Sequence, residues 1–217
     1  MLIISYNVNG IRSALEKGLL EWLSAAQPTI FCCQEVKAVE EQLEKSPFLA
    51  LGYEHIHWFS AQKKGYSGVA VFSKIAPKKV IMGMGISQHD VEGRVLTIDY
   101  ENFTLINAYF PSGTMGEERQ AYKYQFLGDF YTYVARVKAH QPNVLIGGDF
   151  NICPQPIDIH NPISNKNSSG FLPEERAWVA SLLESGFTDV FRKFHPEPHR
   201  YSWWSYRANA RKKNLGW

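Results

Sequence analysis

The sequence predicts an α/β protein whose β-sheets are covered by helices on the outside. Six short apolar segments have the length and composition of buried strands, and three longer segments place apolar residues at helical spacing. The predicted strands are residues 2–6, 29–34, 68–73, 94–99, 103–109 and 143–147. Their alternation with helices suggests sheets packed face to face, although an ordinary doubly wound sheet would give the same pattern.

The first predicted helix follows the first strand. Its apolar residues between Leu15 and Ala26 share one face, Ser13 and Glu16 have the spacing of a capping box, and Pro28 ends the pattern. We therefore expect one continuous helix in this segment.

Two more helices are predicted in the second half of the chain. One spans about residues 116–140, where apolar residues recur at helical spacing. The other begins at Pro173, since proline suits a first helical turn, and ends near Gly186, which supplies a left-handed cap. Residues 155–170 lack apolar periodicity, so they are expected to form a long loop of the kind that often carries function.

The composition indicates a single domain over residues 1–217. With 217 residues, 45% of them hydrophobic, the chain is long enough for one large core, and a net charge of +2 excludes a strong global field. Cys32, Cys33 and Cys153 are expected to be buried thiols, with the adjacent pair on opposite faces of a strand. Without a signal core or a membrane-length apolar run, the chain is predicted to be cytoplasmic and to have no membrane partner.

Polar side chains suited to metal or phosphate chemistry stand at the ends of several predicted strands. They are Asn7, Gln34, Glu35, Tyr109, Asp149 and Asn151. Since ligands of α/β proteins bind at the rim where strands end, we expect these side chains to converge there.

Each of these residues also has an ordinary structural interpretation. Glu35 is costly to bury without a compensating cation, yet most glutamates at strand ends are simply solvated. Asp149 and Asn151 either hold a water and an oxygen, with the preceding glycines letting a ligand approach the backbone, or stabilise a turn. Tyr109 either donates to a phosphate or packs, and Asn7 either orients a carboxylate or belongs to a turn. The residues alone leave these alternatives open.

Sequence motifs of other enzyme classes are absent. The seven histidines and three cysteines show no zinc spacing, and the sequence contains neither a lysine-bearing phosphate loop nor a serine-hydrolase elbow. Ligation by oxygen atoms remains, which favours magnesium, with manganese as the alternative.

Five ordered motifs closely resemble those of the exonuclease III and abasic-site endonuclease family. They are YNVNGIR at 6–12, QEVK at 34–37, GYSGVA at 65–70, YFPSG at 109–113 and GDFN at 148–151. The likeness continues to Gly216 and Trp217, so it covers essentially the whole chain.

The resemblance implies a fold and a set of roles. The family's fold is a DNase I-like, four-layer α/β/β/α sandwich with two mixed sheets face to face and helices outside. Glu35 would bind the divalent metal with Asn7 beside it, and Asp149 and Asn151 complete the candidate metal-binding residues. Asp149 would activate water, Asn151 would steady the transition state, and Tyr109 would donate to the scissile phosphate.

The implied reaction is metal-dependent hydrolysis of phosphodiester bonds in double-stranded DNA during base-excision repair. Incision 5′ to abasic sites is expected, with 3′–5′ exonuclease and 3′-phosphatase or phosphodiesterase activity as further activities. The implied partner is duplex DNA with abasic or 3′-blocked lesions, and the chain is expected to be a monomer.

Two regions are candidates for DNA binding. Aromatic and cationic residues alternate near residue 217, and the resemblance implies that Trp203 and Trp217 receive the extruded abasic sugar. The same resemblance puts Asn161 near the target phosphate, and Arg207 belongs to the cationic set. The second region is a turn that resembles a DNA-facing loop of the family. Its candidate residues are Lys63, Lys64, Tyr66 and Ser67.

In this family the Gly216-Trp217 motif is followed by an Arg-x-Asp-Tyr strand and later by a Ser-Asp-His segment, and neither occurs here. The domain is therefore expected to be truncated, with strands of one sheet missing. We expect the chain to be part of a longer protein; the alternatives are a truncated inactive form and a chain that receives the missing strands from a second chain. The rival functions are a catalytically inactive DNA-binding form and a phosphoesterase of the same fold with a non-DNA substrate.

Overall fold

The structure is a computed structural model that describes residues 1–217, and its eight strands form two four-stranded sheets. The strands are β1 (Ile3–Asn7), β2 (Ile30–Gln34), β3 (His55–Phe59), β4 (Val69–Ser73), β5 (Lys79–Met82), β6 (Val95–Asp99), β7 (Thr104–Tyr109) and β8 (Val144–Asp149). All six predicted strands are present, with boundaries shifted by one or two residues.

Both sheets are mixed. The first has the order β1-β2-β4-β3, with β1 and β2 parallel and the other pairs antiparallel. The second has the order β5-β6-β7-β8, with β7 and β8 parallel. An apolar layer with members from β2, β4, β6 and β7 lies between the sheets. This packing selects the face-to-face sandwich over the doubly wound sheet.

The chain also contains seven α-helices. They are α1 (Ile11–Glu16), α2 (Leu19–Ala26), α3 (Ser46–Ala50), α4 (Ser87–Asp90), α5 (Glu117–His140), α6 (Pro173–Glu184) and α7 (Val190–Phe194). An apolar cluster joins α1, α2 and α3 to the first sheet. On the second sheet, the hydroxyl oxygens of Thr97 in β6 and Tyr133 in α5 lie 2.7 Å apart. The four-layer α/β/β/α fold is therefore confirmed.

The prediction of one continuous first helix is wrong. The segment forms α1 and α2, and Gly18 between them has a φ of 91° in the left-handed region that interrupts a helix. Ser13 lies inside α1 and does not cap it. The two later helices are confirmed, and Gly186 adopts the expected left-handed conformation with a φ of 97°.

Two strands were not predicted, and both lie at sheet edges. β3 contains two histidines, and β5 begins at Lys79 with both of its terminal residues exposed. An edge strand has one unpaired side and tolerates polar residues, so it lacks the continuous apolar run that marked the central strands.

The chain divides into two compact units, which are described separately below. Unit 1 comprises Met1–Phe110 and Thr132–Phe150 and contains both sheets, and unit 2 comprises Pro111–Tyr131 and Asn151–Trp217. The single domain over residues 1–217 stays a prediction beside this division. None of the helices has the length and apolar character needed to cross a membrane.

The three cysteines are free and buried, as predicted. Cys32 belongs to the layer between the sheets, whereas Cys33 belongs to the cluster beneath the helices of the first sheet. Burial raises the pKa of the Cys32 and Cys153 thiols to about 12, so they stay protonated near neutral pH.

Candidate active site

One amide nitrogen joins two carboxylates where three strands of unit 1 end. Asn7 Nδ2 donates to Glu35 Oε1 and to Asp149 Oδ2, each at 2.7 Å. Asn7 ends β1, Asp149 ends β8, and Glu35 directly follows β2. Parallel pairing of β1 with β2 and of β7 with β8 brings these strand ends to one rim.

The backbone around Glu35 is unusual. Positive φ angles are found at Glu35 (53°), Lys37 (50°) and Asn9 (47°). Residues other than glycine rarely adopt this backbone conformation. Such conformations persist only where surrounding contacts hold them, and they cluster at functional sites. Here the Gly10 amide donates to the Glu35 carbonyl at 2.7 Å, and the Asn9 amide donates to Asn7 Oδ1 at 2.9 Å.

Lys37 supplies positive charge to Glu35. Its Nζ lies 2.7 Å from Glu35 Oε2 and donates to Asn9 Oδ1 at 2.5 Å. Burial of Glu35 acts to raise the pKa of its carboxyl group. Hydrogen bonds from Asn7 and Lys37, the charge of Lys37 and the hydroxyl of Tyr109 outweigh burial and lower that pKa below its usual value. Glu35 is therefore an anion at neutral pH.

Tyr109 ends β7, and its hydroxyl shares a hydrogen bond with Glu35. Burial raises the pKa of this hydroxyl strongly, and the negative charge of Glu35 adds to the effect, while the charge of Arg94 opposes it. The phenol is therefore protonated at neutral pH and acts as a hydrogen-bond donor, here to Glu35.

Arg94 contacts both the ring and the backbone of Tyr109, and this role was not predicted from the sequence. Its guanidinium carbon lies 4.6 Å from the Tyr109 ring centroid, and its Nη1 donates to the Tyr109 carbonyl at 2.9 Å. Its Nη2 donates to the Tyr66 hydroxyl at 3.0 Å, and its Nε is paired with Glu92. The only signal in the sequence was a charged residue at the start of an apolar strand.

Gly148 permits close packing of strands. Its φ is 143°, and a Cβ at this position would lie 1.9 Å from the carbonyl oxygen of Ala108 in β7. The glycines before Asp149 were expected to allow the approach of a ligand. For Gly148 this was wrong, because the close neighbour is the backbone of the adjacent strand.

In unit 2, Asn151 begins the second segment with a φ of 51°. Its carbonyl accepts a hydrogen bond from Lys123 Nζ at 2.8 Å. Asn161 is exposed, also with a positive φ of 54°.

The two tryptophans predicted to form a pocket lie together in unit 2. Their ring centroids are 6.4 Å apart in an edge-to-face arrangement. Trp203 is half exposed, whereas Trp217 packs against Cys153, Ile159 and Phe171. Arg207 is exposed nearby in the sequence.

The turn at residues 63–67 of unit 1 meets the expectations only in part. Lys63 and Lys64 are exposed, and Lys63 Nζ lies 5.3 Å from the Tyr66 ring centroid. Ser67 is 1% exposed, so its side chain is not accessible to a DNA phosphate. The expectation of a side-chain contact from Ser67 is therefore not supported.

Comparison with known proteins identifies the family. The model of the Endonuclease/Exonuclease/phosphatase family matches residues 4–217. The chain belongs to this family.

Its relatives are named as DNA nucleases. The chain is 42% identical over 219 residues to an exodeoxyribonuclease of Bacillus subtilis, covering 100% of this chain and 85% of that protein. It is 41% identical over 219 residues to a DNA repair nuclease of Danio rerio, covering 100% of this chain and 70% of that protein. The structure of an AP endonuclease from Archaeoglobus fulgidus matches with a TM-score of 0.91 and 34% identity, covering 100% of this chain and 84% of that chain. The predicted family and its class of phosphoric-ester hydrolases are confirmed.

Nucleases of this family generally depend on a divalent metal. The donor set fits such an ion, since the carboxylates of Glu35 and Asp149 lie within hydrogen-bond distance of one amide and carry oxygen ligands that hard cations prefer. No group of three or more His, Cys, Asp or Glu side chains is arranged to hold a metal. Any ion here would therefore also need amide, water or substrate oxygens.

Proposed function

We propose that this protein hydrolyses phosphodiester bonds of duplex DNA in base-excision repair. It cuts on the 5′ side of abasic sites, with 3′–5′ exonuclease and 3′-phosphatase or phosphodiesterase activity as further activities. The observation that carries this proposal is the Asn7 amide that joins Glu35 to Asp149 beside the Tyr109 hydroxyl. The names of the relatives support DNA as the substrate.

Glu35 would be the principal ligand for magnesium, for which manganese is the alternative, and Asn7, Asp149 and Asn151 would be further oxygen donors. When bound, the ion would neutralise charge on the phosphate oxygens. The lowered pKa of Glu35 favours this role because the carboxyl group is ionised over a wide pH range.

The remaining roles belong to the chain's own side chains. Asp149 accepts a proton from the attacking water, and the Asn7 amide orients its carboxylate for this step. Tyr109, kept protonated by its raised pKa, donates to a phosphate oxygen. The side-chain amide of Asn151 donates to the phosphate as charge develops on it.

DNA binding is assigned to residues of each unit, all of them exposed except Tyr66 and Trp217, which are partly buried. In unit 1, Lys63, Lys64 and Tyr66 contact the DNA backbone. In unit 2, Trp203 and Trp217 receive the extruded sugar, and Asn161 and Arg207 contact phosphates. We further propose a cytoplasmic monomer.

The test uses a duplex with a single tetrahydrofuran abasic analogue, in magnesium and in chelator, beside an undamaged duplex. We expect nicking only of the damaged duplex and only with metal. Asp149→Asn should reduce the rate by about 10²–10⁴-fold, the usual contribution of a general base. A second duplex ending in a 3′-phosphate reports phosphatase activity.

Each rival function gives a different result in this assay. Binding to the abasic duplex without nicking would identify an inactive DNA-binding form. Neither binding nor nicking, with hydrolysis of a non-DNA phosphoester, would identify a phosphoesterase of the same fold. Nicking by Asp149→Asn at the wild-type rate would remove the water-activating role from Asp149.

A further inference from the structure

Unit 2 contains a fully buried ion pair that the proposed roles do not use. Lys123 of α5 and Glu175 of α6 are both 0% exposed, and Lys123 Nζ lies 2.6 Å from Glu175 Oε1. Buried charges are expensive to desolvate, and replacing such a pair with apolar residues is often neutral or stabilising. Stability alone is therefore a weak reason for this pair.

Glu175 is held by several donors at once. Its Oε2 accepts from the backbone amides of Gly170 at 2.7 Å and Leu172 at 3.0 Å. Its Oε1 accepts from Gln120 Nε2 at 3.0 Å in addition to Lys123. With these bonds the carboxylate has little freedom to move, and it fixes the position of the Lys123 ammonium group.

The ammonium group also binds the backbone at Asn151. Lys123 Nζ donates to the Asn151 carbonyl at 2.8 Å, and Asn151 has a φ of 51°. A left-handed conformation at a residue other than glycine persists only where its surroundings hold it. A buried, charge-assisted hydrogen bond to the carbonyl of that residue is a means of holding it.

We propose that Lys123 is a positioning residue that acts through Asn151. Its ammonium group, anchored by Glu175, fixes the Asn151 peptide and thereby gives the Asn151 side-chain amide a single orientation. The inference rests on the proposed function, which assigns that amide to the scissile phosphate.

The test is a mutant cycle in which the buried charges are removed together. Lys123→Met with Glu175→Gln avoids leaving one buried charge unpaired, and the pair change is made with and without Asn151→Ala. We expect kcat on the abasic duplex to fall by about 10²-fold, the cost of a small misplacement, with KM unchanged. With Asn151→Ala already present, the pair change should have no further effect on kcat.

Two additional variants keep the cycle interpretable. Lys45→Met with Glu40→Gln removes an exposed ion pair of the same chemistry and should leave kcat unchanged. If the buried pair change prevents folding, Lys123→Arg retains the charge opposite Glu175 while displacing the donor from the Asn151 carbonyl. It should lower kcat only when Asn151 is present. Equal losses of kcat with and without Asn151 would overturn the proposal.

A second measurement does not require activity. In ¹⁵N-labelled protein, the side-chain amide of Asn151 is identified by its loss in Asn151→Ala. We expect one sharp pair of amide proton signals in the wild type and broadened or multiple signals in the folded pair variant. Unchanged sharp signals would overturn positioning by Lys123, even if the wild type did not cut DNA. Conversely, changed signals in a protein that does not nick would contradict only the proposed function.

Discussion

Two groups of polar side chains in unit 1 occupy neighbouring positions yet have opposite characters. Gln34 and Asn107 are buried between the sheets, whereas Asn7, Glu35 and Asp149 are half-buried where the strands end. Gln34 and Glu35 are adjacent in the sequence and belong to different groups. The comparison shows that adjacent residues can differ in role, since Gln34 stabilises the fold whereas Glu35 belongs to the candidate active site.

Gln34 and Asn107 use their hydrogen-bonding groups within the protein. Gln34 Nε2 donates to Asn107 Oδ1 at 2.7 Å and to Ser5 Oγ at 3.0 Å. Asn107 Nδ2 donates to the carbonyls of Cys33 and Ala70, each at 3.0 Å. A neutral pair of this kind links the two sheets without burying a charge. At the rim Glu35 is ionised, and its carboxylate and that of Asp149 offer oxygen atoms of the kind that hard cations prefer.

Replacing the carboxylate of Glu35 should have the largest effect on activity. We expect Glu35→Gln to lower metal-dependent nicking by about 10²-fold or more, because a bound cation contributes several kcal/mol to stabilising the transition state. The free energy of unfolding should change little, since Glu35 is half-buried and its partner Lys37 is partly exposed. Nicking rates over a magnesium titration provide the measurement, and the exposed Glu54→Gln serves as the matched control. A wild-type rate at low magnesium would remove Glu35 from the metal site.

Replacing Asn107, which is buried against Gln34, should instead reduce the stability of the fold. Asn107→Leu leaves the Gln34 amide and the carbonyls of Cys33 and Ala70 without this partner. We expect a loss of about 2–4 kcal/mol in the free energy of unfolding, measured in urea, because unsatisfied buried polar groups carry their full desolvation penalty. Nicking per folded molecule should stay near the wild-type value. A large fall in that rate, without a loss of stability, would erase the distinction between the two groups.

The acid limb of the nicking rate should shift to higher pH when Lys37 is replaced by a neutral residue. The pKa of Glu35 is lowered in the folded protein, so the favourable interactions of its carboxylate are present above the unfolded pKa and are lost as pH falls through the folded one. Lys37→Met removes a hydrogen bond and a positive charge, which raises the pKa of Glu35. The acid limb of the nicking rate should therefore shift to higher pH, as followed in constant-ionic-strength buffers. A shift to lower pH would contradict the assigned cause.

The smallest effect is expected away from both groups. Lys63→Ala with Lys64→Ala should reduce the slope of log binding constant against log salt by about 0.9 for each phosphate that the variant no longer neutralises. Binding titrations with the abasic duplex at several salt concentrations measure this slope. An unchanged slope would show that these exposed lysines do not bind DNA phosphates.

The central strands and the strand-end residues were predictable for a physical reason. Strands buried on both faces, such as β2, consist of continuous apolar residues, and a polar residue that follows such a run is conspicuous. Asn7 and Asp149 are 142 positions apart, yet each was visible from its own strand.

Residues defined by distant partners were not predictable in this way. Lys123 was counted within a helix, and its burial depends on Glu175, which lies on another helix. Arg94 looked like the charged end of a strand, although its guanidinium group is buried against Tyr109. The break between α1 and α2 was also missed, because the apolar stripe continues across Gly18.

The free cysteines can report local opening of the fold, because their labelling requires exposure to solvent. A thiol reacts as the thiolate, so Cys32 and Cys33 can be labelled only after water reaches them. Because they face opposite sides of β2, a variant that retains only Cys32 reports separation of the two sheets. A variant that retains only Cys33 reports departure of the covering helices. Labelling rates of the two variants in native buffer would rank the free energies of these openings, layer by layer.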